Sequence, residues 1–192
     1  MKRLAIFVSG SGTNMENILR HLQEGKIQAE ASLVVSDNAE AFALRRAEKF
    51  GVESVVVDRK KFDSKENFEA EIQRRLAGKK IDYIVLAGFM RILSPSFVKA
   101  YRGRILNIHP ALLPDFPGAH AIRDAWEAKV RKTGVTVHFV DEGVDTGPVI
   151  LQREVPVTAD DTLESLEKEI HAVEYEIYPE AINLVLQGKV KM

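Results

Sequence analysis

Asn107 and His109 stand two residues apart in the run Leu106-Asn107-Ile108-His109-Pro110-Ala111-Leu112-Leu113-Pro114. Alternate residues of a strand share a face, so the amide and the imidazole project together while Ile108 turns away. Pro110 cannot continue a central strand, which puts the pair where the strand gives out. Ligands of open α/β sheets bind at that end. An amide N–H and a titratable ring converging there suit a reaction that develops negative charge on a carbonyl oxygen. A ring in that role needs a carboxylate beside it. The loop from Asp141 to Pro148 holds Asp141, Glu142 and Asp145 among glycines, and Asp145 is the candidate. Taken alone, the loop also reads as an ordinary solvent-facing acidic turn.

Two further segments suit ligands. Gly10-Ser11-Gly12-Thr13-Asn14 falls between a first strand and a first helix, where backbone N–H groups at the helix N-terminus make an anion site. A phosphate is the expected guest; the plainer alternative is a glycine turn with Thr13 or Asn14 as helix cap. Met15 stands where a dinucleotide fingerprint wants its third glycine. Ser11 lacks the glycine two residues before it that a nucleophile elbow requires. Ala87-Gly88-Phe89-Met90-Arg91-Ile92-Leu93 follows a buried strand and suits a flat aromatic ligand, with plain core as the alternative. Of the five histidines, His21 and His171 read as helix-surface residues, His138 as a satisfied buried ring, and His120 as a loop residue open to ligand contact. None pairs at metal-helix spacing, and no metal is expected.

The elements that must position these groups alternate. Strands are expected at 4–8, 31–36, 54–57, 81–87 and 104–109, and helices at 14–24, 39–50, 65–77, from Ser94-Pro95, and around Trp126. Two β-segments, 134–140 and 149–157, follow, and Asp161-Thr162-Leu163-Glu164 opens a long C-terminal helix that Pro179 should kink or interrupt. This order predicts an α/β, Rossmann-like fold: a mostly parallel central sheet with helices on both faces, a C-terminal β-extension and a long helix, all in a single domain spanning 1–192.

Composition removes whole classes. There is no cysteine, which excludes disulfides, thiol nucleophiles and iron–sulfur ligation. Lys+Arg 27 against Asp+Glu 28 leaves no basic footprint, so no nucleic-acid or membrane partner is expected. The acid-rich stretch Glu164 to Glu180 reads as a solvated helix face. The apolar start is too short for a signal segment, and the cytoplasm is the expected compartment.

Together, Ser9 to Asn14, Leu86 to Leu93, Asn107 to Pro114, Phe116-Pro117-Gly118, Asp141 to Pro148 and Glu174 to Pro179 resemble the phosphoribosylglycinamide formyltransferase family of folate-dependent enzymes, in family order over nearly the whole chain. The resemblance implies transfer of a formyl group from the co-substrate 10-formyltetrahydrofolate to the amine of 5-phosphoribosylglycinamide in purine biosynthesis, without a metal. It implies Asn107, His109 and Asp145 as the catalytic trio. It implies Ser11, Gly12, Thr13 and Asn14 at the ribonucleotide phosphate, and Glu174 near the substrate amine. Folate contacts are implied for Lys65, Met90, Arg91, Ile92, Leu93, Asn107, Asp141 and Val144. Ala111 departs from the serine of many relatives. A monomer or homodimer acting on small molecules is expected. The rivals are another 10-formyltetrahydrofolate enzyme (a hydrolase or other formyltransferase) and a non-catalytic nucleotide-binding module, with Asp37 holding a ribose.

Overall fold

The computed structural model describes residues 1–192. Seven strands form one sheet in the order β3-β2-β1-β4-β5-β6-β7. Contact density divides the chain into two compact units, Met1–Leu106 and Asn107–Met192, and the division falls inside β5.

The first unit is built from β1 (Lys2–Val8), α1 (Thr13–Gln23), β2 (Ala29–Ser36), α2 (Phe42–Lys49), β3 (Ser54–Val56), α3 (Lys65–Leu76), β4 (Tyr83–Leu86), α4 (Pro95–Ala100) and the start of β5 (Ile105–His109). The pairs β1–β2, β1–β4 and β2–β3 are all parallel. Leu4 to Val8 are wholly buried, as the continuous apolar run of a parallel strand requires. On α1 the buried residues are Met15, Ile18 and Leu19, spaced for one helical face. Ser94 caps α4 by accepting from the Phe97 N–H, with Pro95 at the first helical position. Behind that cap sits Glu69 of α3, 4% exposed, whose carboxylate accepts from the Ser94 N–H at 2.7 Å and from the Ser94 hydroxyl.

The second unit holds the end of β5, α5 (Ala121–Glu127), β6 (Lys132–Phe139), β7 (Val149–Pro156) and α6 (Leu163–Leu186). β6 and β7 pair antiparallel, which is the expected β-extension. Helix α6 departs from expectation at its start. Its cap is Thr162, answered by Ser165 in a reciprocal box, one residue later than an Asp161–Glu164 pairing would place it. Asp161 is already used: its carboxylate accepts from the Thr158 N–H and hydroxyl and from the Ser165 hydroxyl. Pro179 does not end the helix, which runs on to Leu186. A mid-helix proline costs about 3 kcal/mol. Burial of Ala181, Ile182 and Val185 beyond it offsets that cost, at roughly 1.5–3 kcal/mol for each large side chain. The acidic face is solvated at Glu164, Glu167, Glu169, Glu176 and Glu180, while Glu174 alone is buried.

Candidate active site

Within the second unit, the end of β5 brings three of the expected side chains together. Asn107 is half-buried, and His109 is 4% exposed. His109 Nδ1 lies 3.4 Å from Asp145 Oδ2. Its Nε2 lies 2.8 Å from the carbonyl oxygen of Phe116. The Phe116 carbonyl can only accept, so Nε2 presents its N–H to it, while Asp145 stands within ion-pair distance of Nδ1. Donation from Nε2 to a substrate oxygen therefore means giving up the Phe116 carbonyl. Asp145 is held in turn by the Gly118 N–H, which donates to Oδ2 at 2.9 Å.

Asp145 and Phe116 share an uncommon backbone. Their φ angles are +56° and +50°, in the left-handed region that non-glycine residues seldom adopt. The Asp145 loop is braced from within by Asp141, whose Oδ1 accepts from the Gly143 N–H at 3.0 Å and the Thr146 hydroxyl at 2.6 Å. Gly147 lets the loop return against β6: a Cβ there would collide with the Phe139 carbonyl. Val144, at the tip, is 48% exposed.

Sequence reasoning missed two groups in this cluster. His138 of β6 is 2% exposed; its Nε2 lies 3.2 Å from Asn107 Nδ2 and 3.8 Å from Asp145 Oδ1. Thr136 and His138 are polar residues alternating with Val135, Val137 and Phe139 in a buried strand, and that was the available signal. The Phe116 carbonyl is a main-chain group with no signature in residue type. Ala111 is fully buried and contributes its carbonyl, which accepts from the Thr136 hydroxyl at 2.7 Å; a side-chain hydroxyl has no part in that bond.

Elsewhere in the second unit, Glu174 is 5% exposed on α6 and accepts from His171 Nδ1 at 2.8 Å. That hydrogen bond raises the pKa of His171 above its ordinary value, outweighing burial. A raised histidine stabilises the fold fully below the free ring's value near 6.5 and loses the contribution as pH climbs through the raised one. Because the ring is half exposed, His171→Ala is expected to cost only about 0.3–0.5 kcal/mol in urea unfolding at low pH and nothing at about pH 9. His120 is exposed at the cap of α5.

In the first unit, the glycine turn is clamped by α2. The Ala43 N–H donates to the Gly10 carbonyl at 3.0 Å, Arg46 Nε donates to the Ser11 carbonyl at 2.9 Å, and Arg46 also pairs with Glu16. The cap of α1 is Gly12 itself, at φ +74°, with no side-chain capping bond; Thr13 and Asn14 are the first two helical residues. Neither caps the helix. Ser11 is exposed, and Thr13 and Asn14 are half-buried.

The 87–93 segment adjoins this turn: the Met90 N–H donates to Ser9 Oγ at 2.8 Å, and the Ser9 N–H donates to the Gly88 carbonyl at 3.1 Å. Met90 and Ile92 are 73% and 65% exposed, against 7% for Leu93, so the segment offers apolar surface and is not plain core. Arg91 Nε pairs with Oδ2 of buried Asp37 at 2.6 Å, while Oδ1 of the same acid is buried without a hydrogen-bond partner. Lys65 is the first residue of α3 and half-buried. No three His, Asp or Glu side chains of the chain are grouped as metal ligands.

Residues 2–182 match the formyl transferase family. The phosphoribosylglycinamide formyltransferase of Bacillus subtilis is 42% identical over 186 residues, covering 97% of this chain and 95% of that protein. A solved structure of glycinamide ribonucleotide transformylase 1 from Geobacillus kaustophilus is 49% identical, with a TM-score of 0.94 over 97% of this chain and 99% of that one. A trifunctional purine biosynthetic protein of Drosophila melanogaster is 43% identical over 97% of this chain, which spans only 14% of that longer protein's length. The chain belongs to the formyl transferases and, among them, to the phosphoribosylglycinamide formyltransferase family.

Proposed function

We propose that this chain transfers the formyl group of 10-formyltetrahydrofolate to the glycinamide amine of 5-phosphoribosylglycinamide, and that Asn107, His109 and Asp145 carry the chemistry. The observation that carries this reading is the pairing of His109 with Asp145 at the end of β5, two residues after Asn107, in a chain of this family. The neutral amine attacks the formyl carbon, and the carbonyl oxygen takes up negative charge. Asn107 and His109 donate to that oxygen, His109 after releasing the Phe116 carbonyl. Asp145 orients the ring. The bond from the formyl carbon to the folate nitrogen then breaks, while a proton passes from the attacking nitrogen to the leaving one. Positioned proton transfer of this kind is worth about 10²–10⁴ in rate. No covalent enzyme intermediate is needed.

The substrate contacts follow the same reading. In the first unit, Ser11, Gly12, Thr13 and Asn14 receive the ribonucleotide phosphate, while Met90, Ile92 and Leu93 offer an apolar face to the folate, beside Arg91 and with Lys65 toward its glutamate tail. In the second unit, Glu174 meets the substrate amine and Val144 the folate, with Asp141 holding the loop in shape. The 192 residues act as one catalytic domain, as a monomer or homodimer in the cytoplasm, on small molecules alone. No helix is long and apolar enough to cross a membrane.

The deciding experiment mixes the protein with 10-formyltetrahydrofolate, with and without 5-phosphoribosylglycinamide, and follows tetrahydrofolate release. Release is expected only with the ribonucleotide present. Release at the same rate without it would make the chain a hydrolase.

A further inference from the structure

His138 lies outside the trio, yet it is the group that touches Asn107. Its Nδ1 is 2.8 Å from the carbonyl of Phe139, an acceptor only, so Nδ1 carries the ring proton. Asp145, Asp141 and His109 also face the ring; the two carboxylates favour a second proton, His109 opposes one, and burial outweighs the carboxylates and pushes the pKa below its ordinary value. The second nitrogen, Nε2, is thereby left as a lone pair. It lies 3.2 Å from Asn107 Nδ2 and accepts from it.

A side-chain amide has two orientations of almost equal shape, related by exchange of its oxygen and nitrogen. One turns an N–H to the substrate, the other turns the carbonyl to it. With Nε2 of His138 as acceptor, the flipped orientation sets two lone-pair atoms against each other, while the observed one makes a hydrogen bond. The observed orientation also leaves Asn107 its second N–H. We propose that His138 is a positioning residue that locks the Asn107 amide with a donor, and not the carbonyl, available to the formyl oxygen. This rests on the reading of Asn107 as the donor to that oxygen.

The lock has a distinct kinetic signature. His138→Leu and His138→Phe both remove the acceptor. The unlocked amide divides its time between orientations, so each variant is expected to lose at least about twofold in kcat, rising toward about tenfold as the carbonyl-facing form predominates. KM for both substrates should stay within about twofold, since the lost contact forms fully only as charge develops. His138→Gln places an acceptor near the position of Nε2 and should restore most of the turnover. In an Asn107→Ala background, His138→Leu should slow the enzyme no further. Urea unfolding of each variant selects those that fold like the parent. Parental kcat in folded His138→Leu or His138→Phe, a Gln variant as slow as Leu, or losses that multiply in the Asn107→Ala background would each overturn the lock. Parental kcat in Asn107→Ala alone would instead remove the donor role of Asn107, a separate failure.

Discussion

Asn107→Ala is expected to turn over about 10²–10³-fold more slowly than the parent, with KM for both substrates nearly unchanged. A neutral formyl oxygen is a weak acceptor. As the amine adds, that oxygen becomes an alkoxide, and a donor fixed in place strengthens its hold without having to reorganise. An interaction stronger in the transition state than in the ground state acts on kcat and leaves KM alone. Asn107→Asp sharpens the test, because it keeps size and shape while replacing the N–H groups by acceptors. It should be at least as slow as alanine. Its carboxylate would stand against the Nε2 lone pair of His138 and near Asp145, where the parent has a hydrogen bond and a neutral group. Steady-state kinetics with both substrates varied decides the matter, and parental turnover in the alanine variant ends Asn107's part in the reaction.

Gly12→Val is expected to have the largest effect on stability. A Cβ at this position would stand 2.5 Å from Ala43 Cβ and 2.8 Å from Ala43 Cα, on a backbone at φ +74°. The left-handed conformation costs a β-branched residue about 1–2 kcal/mol. Overpacking against α2 adds about 1–3 kcal/mol, because Ala43 is fully buried and has no long side chain to swing aside. The turn can relieve the clash only by pulling away from α2, which breaks the Ala43–Gly10 and Arg46–Ser11 hydrogen bonds and displaces the backbone donors of the proposed phosphate site. The unfolding midpoint should fall by several degrees, and KM for the ribonucleotide should rise in whatever folded fraction remains. A variant with parental stability would show that α2 is not braced against the turn as described.

The parts of the fold and site open to sequence reasoning were local ones. Continuous apolar runs marked β1 and β4, Ser94-Pro95 marked the start of α4, and strand periodicity put Asn107 and His109 on one face. Asp145 could be chosen because an orienting acid had to exist and one loop was rich in them. What stayed hidden depended on partners far along the chain. His138 is 31 residues from Asn107, and an isolated His in a buried strand does not announce what it bonds. Glu69 would pass for a surface acid on a charged helix until Ser94, 25 residues on, is placed against it. Pro179 left two outcomes open for the same reason: propensity prices the broken hydrogen bond, whereas burial of the residues beyond it decides that the helix runs on.

The left-handed backbone at Phe116 and Asp145 sets unequal terms for hardening this protein against heat. At Phe116 only the main-chain carbonyl reaches His109, so glycine there would relax the chain and keep the contact. At Asp145 the carboxylate itself holds the Gly118 N–H and faces His109, so glycine there would relax the chain but give up both contacts, along with the role proposed for it. Breeding for survival at high temperature should therefore meet less resistance at Phe116 than at Asp145, where relief of the backbone is set against the contacts it removes.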